Sequence, residues 1–178
     1  MKVRKAYRTI EVNDVAVEKL AAGRAGMAYT VGEDCSKGTL VLVVRWQDGT
    51  FSRPWRAENP DQIGVVVKLL QDLAQGRRPV VGMESTGTYG DAFRQALTDA
   101  GLDVQRVSGK AVHDYAEIFD GVPSQHDGKD AAIVAELVSQ GKSVPWPYVP
   151  ADPWDQELAD WVNKLDLQEQ LQQVFGDA

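Results

Sequence analysis

Apolar and polar positions change rhythm along this chain, and the changes predict alternating strands and helices. Met27–Glu33 and Thr39–Arg45 are short apolar runs separated by a tight connection at Gly38, and both read as strands. The Asp48-Gly49 pair between two such runs is a hairpin signal, so a third strand is expected over Phe51–Arg56. Asn59 and Pro60 read as the N-cap and first position of a helix running to about Gln75 and ending at Gly76. Pro79 leads into a strand at Val80–Met83. A helix from Gly90 to Ala100 is closed by Gly101, and a strand follows at Leu102–Val107. A helix at Ala111–Phe119, a loop at Gly121–His126 and a helix opening at Asp127 or Gly128 and reaching Gln140 complete the series.

The order β-β-β-α-β-α-β-α predicts an α/β domain. Its five-stranded sheet is mixed, with the first, fourth and fifth strands parallel and the second antiparallel. This is the element order of the ribonuclease-H-like fold, and the actin-like ATPase fold opens the same way. The expected organisation is an N-terminal extension at 1–26 with an amphipathic stretch from Val15 to Ala22, the α/β body at 27–142, a Pro- and Trp-rich linker at 143–156, and the start of a helical segment at 157–178. In that last segment Leu158, Trp161, Leu165, Leu171 and Val174 are spaced as in an amphipathic helix or the opening of a coiled coil, which predicts burial against the body or self-association into a homo-oligomer.

Length and charge set bounds. A chain of 178 residues is long enough for one domain with a real core plus an appendage. No run of ~18 apolar residues is present, so no membrane partner is expected. The basic N-terminus has no apolar segment after it, which argues against a secretory signal. Cys35 is the single cysteine, which rules out an intramolecular disulfide and suits a reducing cytoplasm. The net charge of −7 has the wrong sign for a simple nucleic-acid binder. However, residues 151–178 carry seven acids against one lysine, leaving the rest nearly neutral, with 18 basic and 19 acidic residues.

Four carboxylates stand at the ends of predicted elements: Asp34 after the first strand, Glu84 after the fourth, and Asp127 with Asp130 on the first turn of the last body helix. Strand ends are where open α/β sheets build sites, and such a set could hold two divalent cations roughly 4 Å apart for in-line phosphodiester chemistry. Each also has a plain structural explanation. Asp34 could cap a turn, Glu84 could end a strand before an ordinary loop, and Asp127 and Asp130 could complement a helix dipole. Lys129 reads as solvated, His113 as surface and His126 as a loop histidine. Cys35 reads as a small buried residue, and Trp146, Trp154 and Trp161 as packing anchors.

The segments Gly32-Glu-Asp-Cys-Ser-Lys37, Glu84-Ser-Thr-Gly-Thr-Tyr89 and Asp127-Gly-Lys-Asp-Ala131 resemble the three motifs of the DEDD (Piv-like) transposases of bacterial insertion sequences, over about residues 27–142. The resemblance implies a RuvC-like catalytic domain that recombines DNA at mobile-element ends. It implies Mg²⁺ or Mn²⁺ held by Asp34, Glu84, Asp127 and Asp130, and substrate contacts from Ser36, Lys37, Thr86, Gly87 and Tyr89. Some members of that family are guided by a structured RNA. Three departures stand out. Glu33 replaces an apolar residue and is expected to add charge beside the site. Gln125 and His126 replace a Lys-Thr pair. The serine-bearing second domain of the family is not in this sequence, so the chain is expected to be inactive alone. The competing readings are an actin-like ATPase lobe, suggested by Asp34–Thr39 but leaving Asp127 and Asp130 unexplained, and a non-catalytic nucleic-acid-binding remnant.

Overall fold

The computed structural model describes residues 8–85, 87–121 and 126–176. Up to Tyr148 the chain forms one compact unit, and Val149 onward forms a second. The first holds strands β1 (Ile10–Glu11), β2 (Tyr29–Cys35), β3 (Thr39–Trp46), β4 (Trp55–Glu58), β5 (Val80–Glu84), β6 (Asp103–Val107) and β7 (Val144–Pro145). Its helices are α1 (Val17–Ala21), α2 (Ile63–Ala74), α3 (Asp91–Asp99), α4 (Gly109–Asp120) and α5 (Asp127–Ser139). The sheet order is β1-β4-β3-β2-β5-β6-β7. β2, β5 and β6 run parallel and β3 is antiparallel, so the five expected strands form the body of a mixed sheet. A two-residue strand is added at each edge, β1 on β4 and β7 on β6.

Strand alternation sends the two faces of the sheet to different partners. Val31, Cys35, Leu40, Leu42, Val44, Val81 and Met83 join Leu70 and Leu73 of α2 and Phe93 and Leu97 of α3 in the main core. On the other face Val41, Val43 and Val107 meet α5, with α4 beside it. α5 is therefore less an amphipathic surface helix than a buried one: from Gly128 to Val138 every residue except Asp130 and Glu136 is buried.

The closeness of α5 to the sheet has a specific cause. Gly32 of β2 and Gly82 of β5 are register partners directly beneath it. A Cβ on Gly32 would lie 1.9 Å from the Ala131 carbonyl oxygen and 2.4 Å from the Ala135 nitrogen, and one on Gly82 would lie 2.4 Å from Val138 Cγ2. Two glycines below and three alanines above let helix and strand backbones approach directly. The Thr30 hydroxyl seals the contact by donating to the Ala135 carbonyl at 2.8 Å, and Arg45 ion-pairs with Glu136.

Several elements differ from expectation for identifiable reasons. The third strand does not fill Phe51–Arg56. Phe51 makes a single bridge to Arg45, the Ser52 hydroxyl takes over as acceptor for the Val44 amide, Pro54 has no amide to donate, and the ladder resumes only at Trp55. The helix after Asn59-Pro60 begins at Ile63, because the Asn59 side chain is committed elsewhere, as described below. In the second unit, α6 (Pro153–Phe175) is capped by Asp152, whose side chain accepts from the Trp154 amide. Within that unit Trp154, Leu158, Trp161, Leu165, Leu171 and Val174 of α6 are all exposed.

Candidate active site

Asp34 and Glu84 stand side by side at the carboxyl ends of adjacent parallel strands. Asp34 lies inside β2, one residue before its end, and not past the strand as expected. The register pairs Glu33 with Met83, which puts Asp34 next to Glu84. Their cross-strand partners fix the face. Asp34 pairs with Val41 and Glu84 with Val107, and both valines pack against α5. α5 begins over this same end of the sheet, so Asp127 and Asp130 in its first turn are brought to the pair.

The electrostatics agree with this placement. Burial, first, and then the charges of Asp127, Asp130 and Glu84 push the Asp34 carboxyl up from 3.8 to about 7. Glu84 is likewise raised, by burial and then by Asp130. Four acids from three distant parts of the chain thus share one neighbourhood, and the two on the strand ends, Asp34 and Glu84, are both raised by it. They do not form a closed shell. Among the described residues no three His, Cys, Asp or Glu side chains are gathered closely enough to enclose an ion. As a donor set, the acids consist only of hard oxygens, the chemistry that suits Mg²⁺ or Mn²⁺.

The local framework explains how each acid is held. The Glu84 carboxylate lies against Gly109 at the start of α4, where an added Cβ would fall 2.5 Å from Glu84 Oε1 and displace the carboxylate from this position. His126 is not simply a loop residue: it is the N-cap of α5, and its Nδ1 accepts from the Lys129 amide at 3.2 Å. Lys129 corrects the sequence reading most clearly. It is not solvated but buried, with Nζ 2.6 Å from Asp120 Oδ1 at the end of α4. This pair ties the end of α4 to the first turn of α5, the turn that carries Asp127 and Asp130.

Glu33 also departs from expectation. Alternation turns it to the opposite face of the sheet from the acids, between its partners Leu42 and Met83 in the main core, although it remains within electrostatic reach of Asp34 and Glu84. It is fully buried; neither carboxylate oxygen has a partner within good hydrogen-bond geometry, and among the described residues only the weak Cys35 thiol donor lies close enough to interact with it. Burial, and then the charge of Asp34, raise its carboxyl well above the usual range.

The candidate substrate-contacting residues occupy the two loops flanking the acids. Ser36, Lys37, Gly87 and Tyr89 are exposed, and Thr86 lies outside the described residues, as does Gln125. Gly87 has φ +62°, the left-handed region that glycine accepts without strain. Sequence reasoning missed Asn59. Its amide Nδ2 donates to the Ser36 carbonyl at 3.1 Å and the Tyr89 carbonyl at 2.9 Å, so one side chain joins the loop after Asp34 to the loop after Glu84. The only sequence signal was an Asn before a proline, which reads equally well as a helix cap.

A mixed sheet of this order, with acids at the carboxyl ends of its central parallel strands and on the helix laid across them, is a ribonuclease-H-like DEDD domain. A family model, DEDD_Tnp_IS110, described as Transposase, matches residues 31–173. The chain belongs to this family of IS110-type DEDD transposases. The family sets aside the actin-like ATPase reading. No curated protein matches the sequence.

Proposed function

We propose that this domain supplies the acidic, metal-dependent part of a DNA recombination site, acting on strands at the ends of a mobile element. The observation that carries the reading is the pairing of Asp34 with Glu84 on neighbouring strand ends, in the electrostatic reach of Asp127 and Asp130. Those four residues would hold the cations. The chemistry that bound Mg²⁺ or Mn²⁺ supplies is charge stabilisation on the phosphoryl group under attack. The chain's own contribution is to fix two acids on the rigid sheet and two on a helix end, with Asn59 and the Lys129–Asp120 pair holding the surrounding loops. Ser36, Lys37, Thr86, Gly87 and Tyr89 are assigned to strand contact.

The reading extends to further partners. Family membership favours DNA as substrate, and a guide RNA is a further proposed partner. The exposed apolar positions of α6 support association into a homo-oligomer, since a stripe of that length normally finds a partner. None of the helices among the described residues is long and apolar enough to cross a membrane, and we assign the chain to the cytoplasm. Complete recombination is expected to need the serine-bearing domain that the family resemblance implies.

Metal titration tests the proposal. Mn²⁺ or Mg²⁺ should raise the melting temperature of the unmodified chain by mass action, and Asp34→Asn or Glu84→Gln should remove most of that rise. An unmodified chain whose melting temperature ignores both cations would sink the reading and favour a non-catalytic remnant.

A further inference from the structure

A second feature adjoins the acids. A cleft of about 520 Å³ opens at the edge of the sheet, lined by Ser85, Arg106, Ser108, Gly109, Lys142 and Ser143, among others. It shares a wall with the candidate active site: Ser85 directly follows Glu84, and Gly109 is the residue against which the Glu84 carboxylate lies. The cleft is built by β7, whose Val144 pairs with Arg106 and holds the turn carrying Lys142 and Ser143 over the end of β6.

Two exposed cations, Arg106 and Lys142, converge in this one cleft. Arg45, Arg56, Lys68, Arg94, Lys110 and Lys129 are each paired with a carboxylate. Arg106 and Lys142 are among the described cations that make no ion pair, and both are exposed at the lining of this cleft. Two exposed cations with the hydroxyls of Ser85 and Ser108 in one concavity form a surface suited to a polyanion, while the Ser143 hydroxyl is engaged in donating to Gln105 Oε1 at 3.1 Å. A guanidinium and an ammonium with hydroxyl donors between them match the non-bridging oxygens of successive phosphates.

We propose that this cleft seats the sugar–phosphate backbone of the DNA strand next to the phosphate presented to Asp34 and Glu84, with Arg106 and Lys142 as its phosphate contacts. The inference rests on the DNA-processing reading above and adds to it a direction: the strand leaves the acids across β6 and the α5–β7 turn. Because the contacts are to backbone, they position the strand without reading its sequence.

The test uses the full chain with Arg106→Gln and Lys142→Gln combined, and a control pair of equal charge change, Lys19→Gln with Arg78→Gln, at two exposed positions outside the cleft. Anisotropy with short fluorescent single-stranded DNA in Mg²⁺ should show the cleft variant bound about tenfold more weakly, with the log–log salt slope reduced by about 1.4, the amount expected for two lost phosphate contacts on a single strand. The control pair should bind nearly as the unmodified chain does. Equal losses in both variants would mean a diffuse field and overturn the proposal. So would no loss in either, or an unmodified chain that binds no DNA. A variant that loses affinity for RNA of the same sequence while keeping it for DNA would reassign the cleft to RNA and overturn the DNA assignment. The metal-induced rise in melting temperature should persist in the cleft variant. That rise separates failure of the cleft from failure of the metal-site reading, and it also reports that the variant is folded.

Discussion

Asp34→Asn tests the electrostatic core of the site without any substrate. The Asp34 carboxyl is pushed up from 3.8 to about 7 by burial and by three neighbouring acids. At about 1.36 kcal/mol per pH unit, ionising it in the folded state costs at most ~4 kcal/mol relative to the unfolded chain. The side chain is only partly buried, so solvent screening brings the expected value to ~1–3 kcal/mol. The direction follows from linkage. Between about pH 4 and pH 7 the folded state binds the proton that the unfolded state has released, so stability falls as pH rises through this window and is fully lowered above it. Asparagine keeps the shape and has no charge to lose. Without metal, Asp34→Asn should match the parent near pH 4 and become more stable towards pH 8. At ~2–4 °C per kcal/mol for a chain of this size, the melting temperature should differ by several degrees at pH 8. Thermal melts from pH 4 to pH 8 in chelator measure this directly. A difference that stays flat with pH, or an asparagine variant that is less stable at pH 8, would show that Asp34 is a turn or strand residue and not the centre of a repelling cluster.

Glu33→Met should stabilise the chain by ~1–3 kcal/mol, because a buried carboxyl with no better donor than the Cys35 thiol is replaced by a side chain suited to its core neighbours Leu42 and Met83. The raised Glu33 carboxyl makes this gain grow with pH, and paired urea melts at low and high pH would reveal a contrary trend. Gly32→Ala should cost ~3 kcal/mol or more, since its methyl would meet the α5 backbone at 1.9 Å, and it should shrink the metal-induced stabilisation by lifting the Asp127/Asp130 turn from Asp34. Gly64→Ala, on α2 with open space around it, should stabilise slightly instead, and equal effects at the two glycines would refute the close-packing account.

The sequence disclosed what local pattern controls. Apolar runs located β2, β3, β5 and β6, and acids at element ends located all four candidate ligands. What it concealed was decided by tertiary neighbours. Two-residue strands such as Ile10–Glu11 and Val144–Pro145 are too short to show a period, yet they extend the sheet, and the second of them builds the cleft. Lys129 sits in a polar Asp-Gly-Lys-Asp run that reads as surface, and its burial follows only from the arrival of Asp120 on the next helix. Asn59 carries a helix-cap signal but spends its amide across the loops after β2 and β5. Glu33 was misplaced by one consideration: adjacency in sequence suggested adjacency in the site, whereas a strand sends neighbouring residues to opposite faces.

The hydrogen bond from Thr30 to the Ala135 carbonyl spans 105 positions along the chain. It marks when, during synthesis, this site can come into being. β2 and its acid are made early and can pair with β3 as a hairpin while the rest is still unmade, but the Gly32–Gly82 floor stays uncovered until α5 has emerged from the ribosome. Closing so long a loop is slow relative to the local steps before it. The nascent protein therefore carries β2, with Asp34 in place, through the making of β3 to β6 before the four acids can meet. The four acids cannot be gathered until α5 has been translated, and a ribosome that stalls before α5 leaves Asp34 and Glu84 without Asp127 and Asp130.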